Sequence, residues 1–171
     1  MYDRVERRNR IERFTQFIRT RLALSSPLNM LSVCQQLDVQ CVSVSNADYD
    51  ARIFFDEEQN KVFINYAQNR VPERIQFSVA HELGHLFLHM LRKDGSIDKR
   101  REYYRKNNDP NQIEHEANAF AASLLMPREE FFSICLVNLD SENNIYLDKV
   151  AKHFGVSQQA ANVRGSVLGI W

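Results

Sequence analysis

The stretch Val71–Leu91, VPERIQFSVAHELGHLFLHML, constrains this chain more than any other. Pro72 suits the first position of a helix, where its missing N–H would have no intrahelical partner. At about 100° per residue, Ile75, Val79, Ala80, Leu83, Leu86, Phe87, Met90 and Leu91 fall on one broad arc. Arg74, Ser78, His81, Glu82, His85 and His89 fall on the opposite one. Such a helix needs a core to cover its apolar arc, and its polar side carries HELGH.

His81 and His85 lie one helical turn apart, so both imidazoles can reach one ion at about 2.0–2.1 Å. Glu82 sits beside them but offset, which suits a base acting on water at the ion better than a third ligand. Gly84 removes a side chain where another backbone needs to come close. An ordinary amphipathic helix with a solvated polar face is the bland alternative. HExxH arises by chance in roughly one chain of this length in a couple of hundred, so the phasing against an apolar face carries much of the weight.

A two-histidine site is incomplete, because catalytic zinc takes three protein ligands and keeps one position for water. The next strong helix, Asn111–Met126, is ended by Pro127. On it Glu114, Ala117, Asn118, Ala121 and Leu125 share a face, and the small Ala117 and Ala121 would let that face approach Gly84. This favours Glu114 as third ligand, with Asn118 placed to hydrogen-bond a ligand histidine. Glu116 competes, on a bulkier face with Ile113, Phe120 and Leu124. His89 is a turn too far along the first helix to join the same ion, so it is expected to line the site or support a ligand. His115 is expected to be exposed.

The remainder of the chain sets the frame. A length of 171 residues, 44% hydrophobic and 26% charged, fits one globular domain, or one domain with a small appendage. Lys+Arg and Asp+Glu are both 22, so no overall field recruits nucleic acid or a membrane. The N-terminal Met1–Arg21 is locally basic, with seven Arg against three acids, and reads as a helix with a solvated basic face. A short helix is expected over 28–37. Strands are expected at Val39–Ser45, Arg52–Asp56 and Lys61–Tyr66, the last two joined by a hairpin turn at Glu57–Asn60. An edge strand beside a metal site can hold an extended peptide through main-chain hydrogen bonds. Arg92–Pro110, with Tyr103 and Tyr104, reads as a surface loop or flap. Cys34, Cys41 and Cys135, odd in number and without CxxC, read as thiols in a reducing compartment. With no membrane span and no signal peptide, a cytoplasmic location is expected.

HELGH followed by E-x-E-A-N-x-F-A-A-x-L-L-M-P (Glu114–Pro127) resembles the ImmA/IrrE family of bacterial and phage zinc metallopeptidases. KVFINY and RIQFSVA are also similar to that family, and the resemblance covers roughly residues 28–135. It implies a gluzincin-like core, one zinc ion on His81, His85 and Glu114, and Glu82 as the catalytic residue. It further implies cleavage of a helix-turn-helix repressor encoded in a mobile element or stress operon. Many members carry an added DNA-binding domain; upstream of the core this sequence shows only the Arg-rich helix.

Leu147–Trp171 has the form of two short helices joined through Phe154-Gly155-Val156-Ser157, with Ala151 and Val156 inward and Ser157 as cap. Gln158, Gln159, Asn162 and Arg164 are the side chains such a unit would turn to base edges. Its surface is weakly basic, so direct nucleic-acid binding is not favoured over packing or substrate docking. The expected fold is therefore α+β: a small, mainly antiparallel sheet on a helical core, with a C-terminal helix-turn-helix-like hairpin. The expected segments are 1–27, 28–136 and 137–171. The expected chemistry is zinc-dependent endopeptidase action on a protein substrate. A regulator that only binds its partner, and a DNA-binding transcription factor, are the alternatives.

Overall fold

The computed structural model describes residues 2–98 and 110–171. The chain is α+β, with seven α-helices and one three-stranded sheet among the described residues. In chain order these are α1 (Tyr2–Arg21), α2 (Met30–Gln36), β1 (Val39–Val44), β2 (Ala51–Asp56) and β3 (Lys61–Ala67). Then come α3 (Pro72–His85), α4 (Pro110–Leu125), α5 (Arg128–Val137), α6 (Leu147–Phe154) and α7 (Gln158–Leu168). The chain divides into two compact units, one of Asn29–Ala121 and one of Met1–Leu28 with Ala122–Trp171.

In the unit Asn29–Ala121, Asn29 caps α2 by accepting hydrogen bonds from the Leu31 and Ser32 N–H groups. The Gln76 side chain accepts from the Met30 N–H at 2.6 Å, tying α3 to the start of α2. The sheet is mixed where a mainly antiparallel one was expected. β3 is central, β1 pairs with it in parallel (Val39 opposite Val62), and β2 pairs antiparallel (Ile53 opposite Ile64). The strands do alternate in direction along the chain. The third, however, lies between the first two and does not extend a meander, so β1 and β3 run the same way. Chain order alone does not reveal which neighbours pair.

The hairpin turn between β2 and β3 forms as expected, with Asp56 accepting from the Gln59 N–H and Asn60 at φ 51°. Ile53, Val62, Ile64 and Ala67 are buried on the sheet, and Val79, Ala80 and Leu83 are fully buried on α3. The helical stretch does not stay regular to Leu91. After His85 it widens into a π-helical turn, Leu86–Met90. Beyond it, Leu91 bridges Ile97, and Arg92 pairs with Asp98 at 2.7 Å. The rest of the expected flap, Tyr103 and Tyr104 included, lies outside the described residues.

In the other unit, Ile11, Thr15, Ile18 and Arg19 form the buried side of α1. Arg19 is the exception to an otherwise outward basic face. It donates to the Leu124 carbonyl at 2.8 Å and to Ser26 and Glu130. α6 and α7 form the expected helical hairpin: Val150, Ala151, Phe154 and Val156 are buried, Gly155 takes φ 64°, and Ser157 caps α7. Phe154 stacks on Phe131 of α5 at 5.6 Å.

Arg164, one of the side chains that a base-reading unit would turn outward, faces inward instead. It is 2% exposed; both terminal nitrogens donate to the Glu12 carboxylate, at 2.6 and 3.0 Å, and Nε donates to the Met126 carbonyl. Gln158, Gln159 and Asn162 remain exposed. No described helix is long and apolar enough to cross a membrane.

Two consequences are measurable. Removing one partner of a buried ion pair leaves an uncompensated charge, so Glu12→Ala is expected to lower stability by about 3 kcal/mol in urea denaturation. Asp50, just before β2, accepts from Arg74 (Nε at 2.9 Å) and from Arg70 (2.6 Å), which hold its carboxyl below the ordinary value. A carboxyl lowered on folding contributes stability that is present above its ordinary pKa and lost as pH falls through the lowered value. Asp50→Asn should therefore cost about 1 kcal/mol at neutral pH, and its deficit relative to wild type should shrink as pH falls below the ordinary carboxylate range.

Candidate metal centre

The centre is built where α3 and α4 come unusually close. A Cβ added at Gly84 would lie 3.0 Å from the Ala117 Cα and 3.1 Å from the Ala117 carbonyl oxygen. Ala117 is the small residue expected there. The second contact is Phe120, 3.1 Å from the same point, and not Ala121. Phe120 also packs against Phe87 at 5.9 Å. Bulk on that face of α4 is thus accommodated beside the glycine and does not hold the backbones apart.

Across this contact three side chains converge. His81 Nε2 lies 3.0 Å from His85 Nε2, and Glu114 Oε2 lies 3.2 Å from the first and 3.5 Å from the second. Tetrahedral coordination at 2.0–2.1 Å separates ligand atoms by about 3.3–3.4 Å. The three atoms thus form one face of a tetrahedron of the size zinc demands, and this His–His–Glu group can hold a metal. Proton placement agrees. His81 Nδ1 faces the Asn118 Oδ1 acceptor at 2.9 Å. It is therefore the protonated nitrogen, and Nε2 presents a lone pair.

Glu82 stands apart from the triangle. Its side chain is 5% exposed, and Oε2 accepts from the Ile53 N–H of β2 at 2.9 Å. A buried carboxylate held by a strand amide has a fixed plane. It sits in the same cleft, of about 710 Å³, that His81, His85 and Glu114 line together with Tyr49, Arg52 and Met90. The π-turn sets His89 differently from the other two imidazoles: its Nδ1 faces His85 Nδ1 at 3.2 Å, and its Nε2 faces Glu116 Oε2 at 3.1 Å. Glu114 and Glu116 thus do not compete for one place: Glu114 meets His81 and His85, and Glu116 meets His89. His115 is exposed.

Two features had no sequence signal. The Ile53 amide comes from a strand whose position depends on the 1-3-2 strand order, and no local pattern announces the π-turn. The histidine spacing did carry part of the answer, since His81, His85 and His89 do form one stripe.

The chain belongs to the Peptidase_M78 family, described as the IrrE N-terminal-like domain, whose sequence model matches residues 34–166. The match runs through α6 and into α7, beyond the 28–135 stretch that carried the resemblance. Among solved structures, a Mycobacterium tuberculosis transcriptional regulator shares the fold with TM-score 0.66 at 15% identity; the alignment covers 94% of this chain and 48% of that one. This chain therefore spans about half the length of that regulator. No curated protein matches the sequence.

Zinc analysis of purified protein tests the geometry. Glu114→Ala should lose bound metal, with affinity falling by 100-fold or more, about 3 kcal/mol. Glu116→Ala, outside the triangle, should still bind one equivalent at micromolar protein.

Proposed function

We propose that this protein is a zinc-dependent endopeptidase, with His81, His85 and Glu114 as metal ligands and Glu82 as general base. The observation that carries the reading is the tetrahedral face formed by Nε2, Nε2 and Oε2, with a buried, hydrogen-bonded carboxylate in the same cleft. Membership of a metallopeptidase family supports it. Zinc in such a site supplies Lewis-acid polarisation of the scissile carbonyl and acidifies the attacking water.

The chain's own residues do the rest. Glu82 takes a proton from the water and passes it to the leaving amine. The Ile53 N–H, bound to Oε2, keeps the carboxylate in one orientation through both transfers. Asn118 keeps the His81 proton on Nδ1, so that Nε2 remains a ligand. β2 forms the edge of the sheet beside the cleft, with Ala51, Ile53 and Phe55 among the lining residues, and suits a substrate in extended form.

The substrate we assign is a protein, specifically a helix-turn-helix repressor, and the location the cytoplasm. Family resemblance supports the repressor, and the fold shared with a transcriptional regulator is consistent with it. The exposed part of α6–α7 then serves docking, since burial of Arg164 removes its best base-reading group.

The deciding experiment is Glu82→Gln. It should retain one equivalent of zinc and bind the repressor, while cleavage falls by at least about 100-fold. Repressor inactivation that survives this change would assign the protein to the class that regulates by binding alone.

A further inference from the structure

We propose that His89 is a positioning residue: backed by Glu116, it fixes the proton of His85 on Nδ1 and so reserves Nε2 for the metal. The inference rests on the metal site proposed above and deepens it.

The argument turns on which ring edges meet. His81 and His85, four residues apart, approach through Nε2 atoms at 3.0 Å. His85 and His89, also four apart, approach through Nδ1 atoms at 3.2 Å. Equal spacing gives unlike contacts because the turn that follows His85 is π-helical, and its extra width places residue 89 at a different angle from a regular turn. His85 therefore stands between two histidines, with one edge to each.

A neutral imidazole has one N–H and one lone pair. For Nε2 of His85 to be a ligand its proton must sit on Nδ1, where it donates to His89 Nδ1. His89 is then an acceptor at Nδ1 and carries its own proton on Nε2, 3.1 Å from Glu116 Oε2. The other carboxylate oxygen, Oε1, accepts from the Gln112 amide at 3.0 Å. In this arrangement donation runs one way, from ligand to carboxylate. The reversed arrangement sets the His89 Nε2 lone pair against a carboxylate oxygen, two acceptors face to face.

Burial decides how much this matters. The side chains of His85, His89 and Glu116 are 5%, 9% and 22% exposed. Asn118, which plays the equivalent part for His81, is exposed, so water can stand in for it there. The His85 branch is the one the protein must supply itself.

The test uses full-length protein stripped of metal and titrated with zinc against a chromophoric chelator, so a dissociation constant is read and not cleavage. His89→Leu should weaken zinc binding about 10- to 100-fold. His89→Gln, whose carbonyl accepts from His85 and whose amide donates to Glu116, should recover most of that loss. If His89 merely fills space, the order reverses: Leu binds zinc like wild type and Gln is the damaging change. That result overturns the proposal.

Should His89→Leu fail to fold, nitrogen-15 NMR of zinc-loaded wild type decides. His89 protonated on Nε2 and bare at Nδ1 is expected; a proton on Nδ1 overturns the chain. The two levels of failure separate cleanly. Wild type that binds no zinc sinks the metal centre and this inference with it, whereas tight wild-type binding with an indifferent Leu variant removes only the role of His89.

Discussion

The closeness of two backbones at Gly84 and Ala117 is the constraint on which the centre depends. With 3.0 Å between a hypothetical Cβ and the Ala117 Cα, any side chain at position 84 pushes α4 away from α3. The triangle Nε2–Nε2–Oε2 has edges of 3.0–3.5 Å, and a displacement of even half an ångström takes it out of the range a small cation accepts. The same approach brings three side chains of α4 to two of α3 and one of the π-turn: Asn118 to His81, Glu114 to His81 and His85, and Glu116 to His89. A single missing methyl group thus underlies a set of polar contacts between two largely apolar helices.

The sheet enters the chemistry through one amide. Because β3 lies in the middle, β2 occupies an edge, and from that edge the Ile53 N–H donates to Glu82. A buried carboxylate oxygen needs such a hydrogen-bond donor. Strand order and the carboxylate proposed as general base are therefore linked, although they lie far apart in the sequence. Asp50, clamped by Arg70 and Arg74 just before β2, anchors the strand that carries this amide.

Much of this was legible from residues alone, for reasons that can be named. Helical periodicity survives translation into structure, so Val79, Ala80 and Leu83 were identified as core and His81 and His85 as neighbours. Gly84 and Ala117 announced a close crossing, because only small residues permit one. What was hidden came from partners distant in sequence. The parallel pairing of β1 with β3, the burial of Arg164 on Glu12, and the Ile53 amide on Glu82 each depend on where a remote segment lies. Glu114 and Glu116 looked like rivals for the same reason. A straight helix offers one ion one carboxylate, and nothing local shows that a π-turn on the partner helix supplies a second place.

The ion pair between Glu12 and Arg164 joins positions 152 residues apart. Arg19, on the same helix, relies on Leu124 and Glu130. During synthesis the first helix therefore emerges long before any group that satisfies its buried charges exists, while the segment 29–121 contains its own sheet and histidine pair. The unit of 1–28 with 122–171 cannot be complete until Arg164 has been made. A nascent chain made only as far as residue 121 would carry His81 and His85 but not Arg164, to pair with Glu12, nor Leu124 and Glu130, to accept from Arg19.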